Sequence, residues 1–131
     1  MSVIDASVLV DALAVLGRSG DAARGELARH SVVEVPAIFG AEAVSALRHM
    51  AMARRLSPER AAAAVQQVKQ VRAIRFPFEP FADRVWELRA GLTTYDAWYV
   101  ALAERLGSEL VTADATLSRA SGLRCVVRLL R

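Results

Sequence analysis

The chain has 131 residues, 54% hydrophobic and 24% charged, which is room for one domain with a core, too short for two ordinary ones and too apolar for a disordered chain. No apolar run approaches the roughly 18 residues of a membrane span, and the single cysteine, Cys125, excludes a disulfide framework or a cysteine metal site. The net charge of +3 rests almost wholly on arginine, Lys69 being the only lysine; arginine suits bidentate phosphate contacts, yet a genome biased towards alanine and arginine explains the same count.

Short apolar segments alternate with longer helical ones, the pattern of a parallel sheet flanked by helices. Residues 2–5 read as a strand ending on Asp5, and residues 7–16 as a helix broken by Gly17 and the Ser19-Gly20 turn. A second helix is expected over 21–30, with Gly25 weakening its middle, then a strand over 32–35 closed by Pro36. A helix follows over 37–55. Ser57 as N-cap and Pro58 at the first helical position restart the chain as a helix to about residue 72. Residues 74–76 form a short strand, and Pro77 and Pro80 bracket the entry to a helix over 81–89. Thr93 or Thr94 caps a helix that runs to Leu106, where Gly107 stops it. The chain closes with a strand over 109–112, a short helix over 115–120 and a strand over 125–129, in which Cys125 is expected as a buried, inert thiol. The N-terminus enters the first strand without a leader-like segment, so the expected compartment is the cytoplasm.

Four acids stand at informative places. Asp5 and Asp114 lie at the carboxyl ends of expected strands, where open α/β sheets bind their ligands. Glu42 and Asp96 lie in the early turns of helices. Each has an ordinary explanation: Asp5 and Asp114 as N-caps worth about 1 kcal/mol, Glu42 as an acid favoured by the helix dipole, and Asp96 as the second half of a capping box begun at Thr93. Convergence would be different. Carboxylates about 5 Å apart repel by roughly 3 kcal/mol per pair at an effective dielectric near 20, and only cations make such a cluster tolerable. Hard oxygen donors select Mg²⁺ or Mn²⁺.

Competing chemistries are poorly served. His30 and His49 form no zinc motif, no glycine-rich phosphate loop is present, and Ser7, Ser45 and Ser118 lack a nucleophile-elbow context. Asp11, Asp21, Glu26, Glu34, Glu59, Glu79, Asp83, Glu87, Glu104 and Glu109 read as solvated or paired surface charges.

Four segments carry a resemblance. Val3-Ile-Asp-Ala-Ser7, Pro36-Ala-Ile-Phe-Gly-Ala-Glu-Ala-Val-Ser-Ala-Leu-Arg48, Leu92-Thr-Thr-Tyr-Asp-Ala-Trp-Tyr-Val-Ala-Leu-Ala103 and Leu110-Val-Thr-Ala-Asp-Ala-Thr-Leu117 resemble, in order, the motifs of PIN-domain nucleases, and among them the VapC toxins of bacterial toxin–antitoxin pairs. Each motif alone is weak, but the ordered set is specific. Residues 56–81 carry no motif of the family.

The resemblance implies a single PIN-like nuclease domain over residues 1–131, with an α/β three-layer fold and a central, mainly parallel sheet. It also implies Mg²⁺- or Mn²⁺-dependent RNA cleavage, a homodimer, and a cognate VapB-like antitoxin. Carried over position by position, Asp5, Glu42, Asp96 and Asp114 would be the catalytic and metal-holding acids, with Ser7 and Thr112 supporting them. Arg48, Arg54 and Arg55 are candidates for RNA contact. The alternatives are a non-catalytic RNA-binding or regulatory protein of the same fold, and a receiver-like phosphoacceptor, for which Lys69 is the only available lysine. Ala12, Val15, Ile38, Phe39, Met50 and Met52 are expected to leave an apolar groove for an antitoxin helix.

Overall fold

In the computed structural model, which describes residues 2–130, five short strands make one parallel sheet. They are β1 (Ser2–Ile4), β2 (Val33–Pro36), β3 (Ala73–Phe76), β4 (Glu109–Thr112) and β5 (Val127–Leu129), in the order β3-β2-β1-β4-β5. Parallel sheets are covered on both faces, so their central strands carry apolar runs; β1 is buried throughout. The chain winds outward from β1 to β3, then returns to place β4 on the other side of β1. That reversal makes β1 and β4 the pair at the switch point, where a crevice opens beyond the strand ends. Ile4 pairs with Val111 and the Asp5 amide donates to the Val111 carbonyl at 2.9 Å, so Asp5 and Thr112 leave the sheet side by side.

Seven helices flank the sheet. α1 (Ala6–Ala14), α2 (Arg18–Ala28), α3 (Phe39–Met52) and α4 (Pro58–Gln70) form one packed group, while α5 (Ala82–Glu87) packs on α6 (Thr94–Leu106), and α6 lies against β1, β2 and β4. α7 (Ala115–Ser118) is a single turn after β4. α6 is buried without interruption over residues 97–103, as befits a helix covered by sheet and helix together. Its N-cap is Thr93, and Gly107 ends it in the left-handed conformation at φ 63°. Phe39, Leu47, Tyr99, Leu102, Leu110 and Leu117 are among the fully buried side chains, each apolar one contributing roughly 2 kcal/mol.

The expected elements are present, with informative differences. α2 begins three residues earlier than expected, so Ser19 and Gly20 open a helix instead of forming a turn. The glycine is required by close approach: a Cβ on Gly20 would lie 1.8 Å from the Val15 carbonyl oxygen. α5 is shorter than expected at both ends: a 3-10 turn at Glu79–Phe81 takes up its first residue, and the helix stops at Glu87. β5 starts only at Val127, leaving Cys125 half-buried outside it, with burial pushing the thiol up to about 11, which keeps it inert.

Two acids expected on the surface are buried instead. Glu34 lies within β2. Glu26, 3% exposed, takes Arg128 at 2.9 Å and His30 at 2.8 Å, and these partners hold its carboxyl below the usual range against its desolvation. A pairing between α2 and the last strand joins residues a hundred positions apart, which local periodicity does not register. The expected groove is smaller than its residue set: Phe39 and Ala12 belong to the core, whereas Met52 is exposed, as is Leu16 just beyond the end of α1.

Candidate metal centre

Asp5 occupies the N-cap position of α1 with extended backbone, yet its side chain caps nothing. Its carboxylate is buried, and Oδ2 accepts the Ser7 hydroxyl at 2.6 Å and the Thr112 hydroxyl at 2.8 Å. Those hydroxyls are themselves fixed. Ser7 Oγ accepts the Ala113 amide and Thr112 Oγ1 the Asp114 amide, each at 3.0 Å. The network ties the end of β1 to the end of β4 and aims one acid into the crevice. Burial raises the Asp5 carboxyl above its ordinary value, the two hydroxyl donors oppose that, and the charge of Asp114 adds to it.

Glu42 sits in the first turn of α3, half-buried, with Oε1 enclosed and without a hydrogen-bond partner among the described residues. Burial raises its carboxyl; the Tyr99 hydroxyl opposes this, and the charges of Asp5 and Asp96 reinforce it. Asp96 sits in the first turn of α6, its amide donating to Thr93 Oγ1 at 3.3 Å. Its carboxyl is raised by burial, then by the charges of Asp5 and Asp114. Three acids from three elements therefore feel one another's charge. Asp114 is different: it is exposed and caps α7, accepting the Thr116 amide at 2.9 Å, so it stands at the rim, near enough to act on Asp5 and Asp96.

Asp5, Ser7, Glu42 and Asp96, with Val10, Ala46 and Asp11, line a pocket of about 280 Å³. Asp11 was expected on the surface; it stands one turn beyond Ser7 on α1, and burial raises its carboxyl too. The i, i+4 spacing from Ser7 was the available signal for Asp11, as the i, i+3 spacing from Asp96 was for Tyr99. A larger pocket of about 430 Å³ beside α5 and α6 has its central charges already paired, Arg84 with Glu104 at 2.7 Å. The three candidate arginines fall outside the acid pocket. Arg48 is exposed about 9 Å along α3 from Glu42 and turned roughly 120° from it, while Arg54 and Arg55 are exposed in the α3–α4 turn.

The donors fit a hard cation in kind: carboxylate oxygens only, mutually repelling, one of them enclosed and unpartnered. They do not form a closed cage, since among the described residues no three His, Cys, Asp or Glu side chains are drawn in tightly enough to hold one ion. An open set of carboxylates that keeps positions for water and substrate is the arrangement Mg²⁺ takes beside phosphates.

Comparison with known proteins gives the family. The PIN-domain model matches residues 2–123, a span containing all four acids, and the chain is 39% identical over 130 residues to ribonuclease VapC1 of Mycobacterium tuberculosis, covering 98% of this chain and 97% of that one. The chain belongs to the PIN-domain family, among the VapC proteins. The fold agrees. VapC20 of Mycobacterium tuberculosis, a sarcin-ricin loop cleaving toxin, superposes with a TM-score of 0.70 at 17% identity, covering 94% of this chain and 96% of that one. VapBC2 of Rickettsia felis, solved bound to a DNA fragment from its promoter, gives 0.66 at 15% identity and covers 99% and 98%. In this PIN domain β5 lies beyond the matched span, and the acids gather at the β1–β4 switch point.

Thr112 is the keystone of the support, fully buried and both donor to Asp5 and acceptor for Asp114. Thr112→Val keeps the shape and removes the hydroxyl, leaving the Asp114 amide without that acceptor. The expected cost is about 1–2 kcal/mol in urea unfolding, and an unchanged midpoint would show that the bridge between strand ends holds nothing.

Proposed function

We propose that this VapC-family PIN domain is a metal-dependent endoribonuclease, the toxin of a toxin–antitoxin pair. The observation that carries this reading is the meeting of Asp5, Glu42 and Asp96 in one pocket at the switch point, each held above its ordinary carboxylate range by burial and by charges of the set. Buried acids that repel one another cost stability, and a binding surface for RNA alone has no use for them. The kinship with ribonuclease VapC1 supports the same reading, and the VapBC2 assembly supports a VapB-like antitoxin as partner.

In this scheme Asp5, Glu42, Asp96 and, from the rim, Asp114 hold Mg²⁺ or Mn²⁺, with Ser7 and Thr112 fixing the orientation of Asp5. A divalent ion held by these acids would lower the pKa of a bound water and offset charge developing on the phosphate and the leaving oxygen. Asp5 is held by its hydroxyl donors and is the fixed member of the set; Glu42 and Asp96 come from the first turns of α3 and α6. Arg48, Arg54 and Arg55 contact the RNA backbone outside the pocket, where exposed guanidinium groups neutralise phosphates without reading bases. The protein acts as a homodimer in the cytoplasm, and its exposed Leu16 and Met52 lie among the apolar residues offered to the antitoxin helix.

The test is incubation of the purified protein with total RNA in Mg²⁺ or in EDTA, followed by mapping of new ends. Discrete new ends that require the metal are expected. Binding to RNA without new ends would move the protein to the non-catalytic reading.

A further inference from the structure

Tyr99 lies in the middle of α6, fully buried, and its hydroxyl, like the indole nitrogen of adjacent Trp98, has no hydrogen-bond partner among the described residues. A buried phenol normally finds a partner, and here the hydroxyl is close enough to act on the carboxyl of Glu42, whose Oε1 is likewise enclosed and unpartnered. The hydroxyl acts on the Glu42 carboxyl as a hydrogen-bond donor would, yet it falls short of hydrogen-bond geometry. Tyr99 sits three residues after Asp96, one turn deeper along the same helix, and so stands behind the acid pocket, not in its lining.

We propose that Tyr99 is a positioning residue for Glu42: in the working site its hydroxyl donates to one carboxylate oxygen and turns the other towards the pocket. The inference rests on the metal-site reading given above. It explains why the buried stretch of α6 carries a phenol at a position where phenylalanine would fill the same space. It also explains why two polar atoms are left unpartnered side by side: the carboxylate is free to swing until a cation engages its other oxygen, and partners of this kind typically change metal affinity by about 10- to 100-fold.

Tyr99→Phe separates positioning from packing, because phenylalanine keeps the buried ring. Mn²⁺ binding would be followed by titration calorimetry in the wild type, Tyr99→Phe, Glu42→Gln and the double variant, alongside thermal melts without metal. Tyr99→Phe is expected to melt within about 2 °C of the wild type without metal, since the hydroxyl it loses has no partner, and to bind Mn²⁺ about 10- to 100-fold more weakly. In the Glu42→Gln background the same change should have no further effect on Mn²⁺ affinity, as coupling through one partner requires. Equal Mn²⁺ affinity in the wild type and Tyr99→Phe overturns the assignment of Tyr99, as does an undiminished loss in the Glu42→Gln background. A wild type that binds no Mn²⁺ overturns the metal site and the role of Tyr99 together.

Discussion

Asp5→Asn will remove Mg²⁺-dependent RNA cleavage, lowering the rate by about a thousandfold or more, equivalent to roughly 4 kcal/mol of transition-state stabilisation, in a protein that still folds. The fold is expected to survive because both hydroxyl donors converge on a single oxygen, Oδ2, and the carbonyl oxygen of asparagine accepts the same two bonds at the same volume. What is lost is the negative charge that, in the proposed scheme, would hold a cation at the fixed point of the site. The check is a cleavage assay in Mg²⁺ paired with circular dichroism melts. Wild-type cleavage by a folded Asp5→Asn protein would remove Asp5 from the chemistry and leave it a structural acceptor.

The second large effect has the opposite sign from most substitutions. Asp96→Asn is expected to make the metal-free protein more stable at neutral pH, by about 1 kcal/mol after allowance for solvent screening, or roughly 2–4 °C in melting temperature for a chain of this size. The sign follows from linkage. The folded carboxyl of Asp96 is raised by burial and by the charges of Asp5 and Asp114, so the folded state binds its proton more tightly than the unfolded chain does. Its contribution to stability is fully present below the ordinary aspartate range and is lost as pH rises through the folded value. The wild type should therefore fall behind Asp96→Asn as pH climbs from about 4 to neutrality, with the two converging at the acid end. Divalent metal should reverse the order. The wild type gains stability with metal concentration as mass action requires, about 2.7 kcal/mol at a hundred times the dissociation constant, and the variant gains less. Melting curves that ignore both the substitution and the metal would show that these acids do not strain the folded state.

Much of the fold was legible because parallel sheets and helices announce themselves locally. The cap at Ser57, the proline at position 58, the glycine stop at 107 and the polar exit after Val111 each sit where the structure uses them. Boundaries that tertiary contacts decide were less legible. The start of α2 depends on Gly20 lying against the Val15 carbonyl, and the burial of Glu26 depends on an arginine from β5. At the site, Asp5, Glu42 and Asp96 and the two hydroxyls that hold Asp5, those of Ser7 and Thr112, were legible in the sequence, whereas Asp11 and Tyr99 were not. Asp5, Glu42 and Asp96 stand out because each ends a strand or opens a helix, whereas Asp11 and Tyr99 lie inside helices, where a charge or a ring reads as surface or core. Their place follows from which face of α1 and α6 turns towards the switch point, and that is set by packing. Asp114 shows the converse: its capping bond and its influence on Asp5 coexist, so the ordinary explanation and the functional one were never exclusive.

The proposal that Asp5, Glu42 and Asp96 face a divalent-cation site is tested most directly by anomalous diffraction from crystals of the wild type soaked in Mn²⁺. The expected result is a manganese peak in the pocket between these three carboxylates, weakened or absent in crystals of Asp5→Asn. A pocket with no manganese peak in well-ordered wild-type crystals, or a peak that persists unchanged in Asp5→Asn, would contradict it.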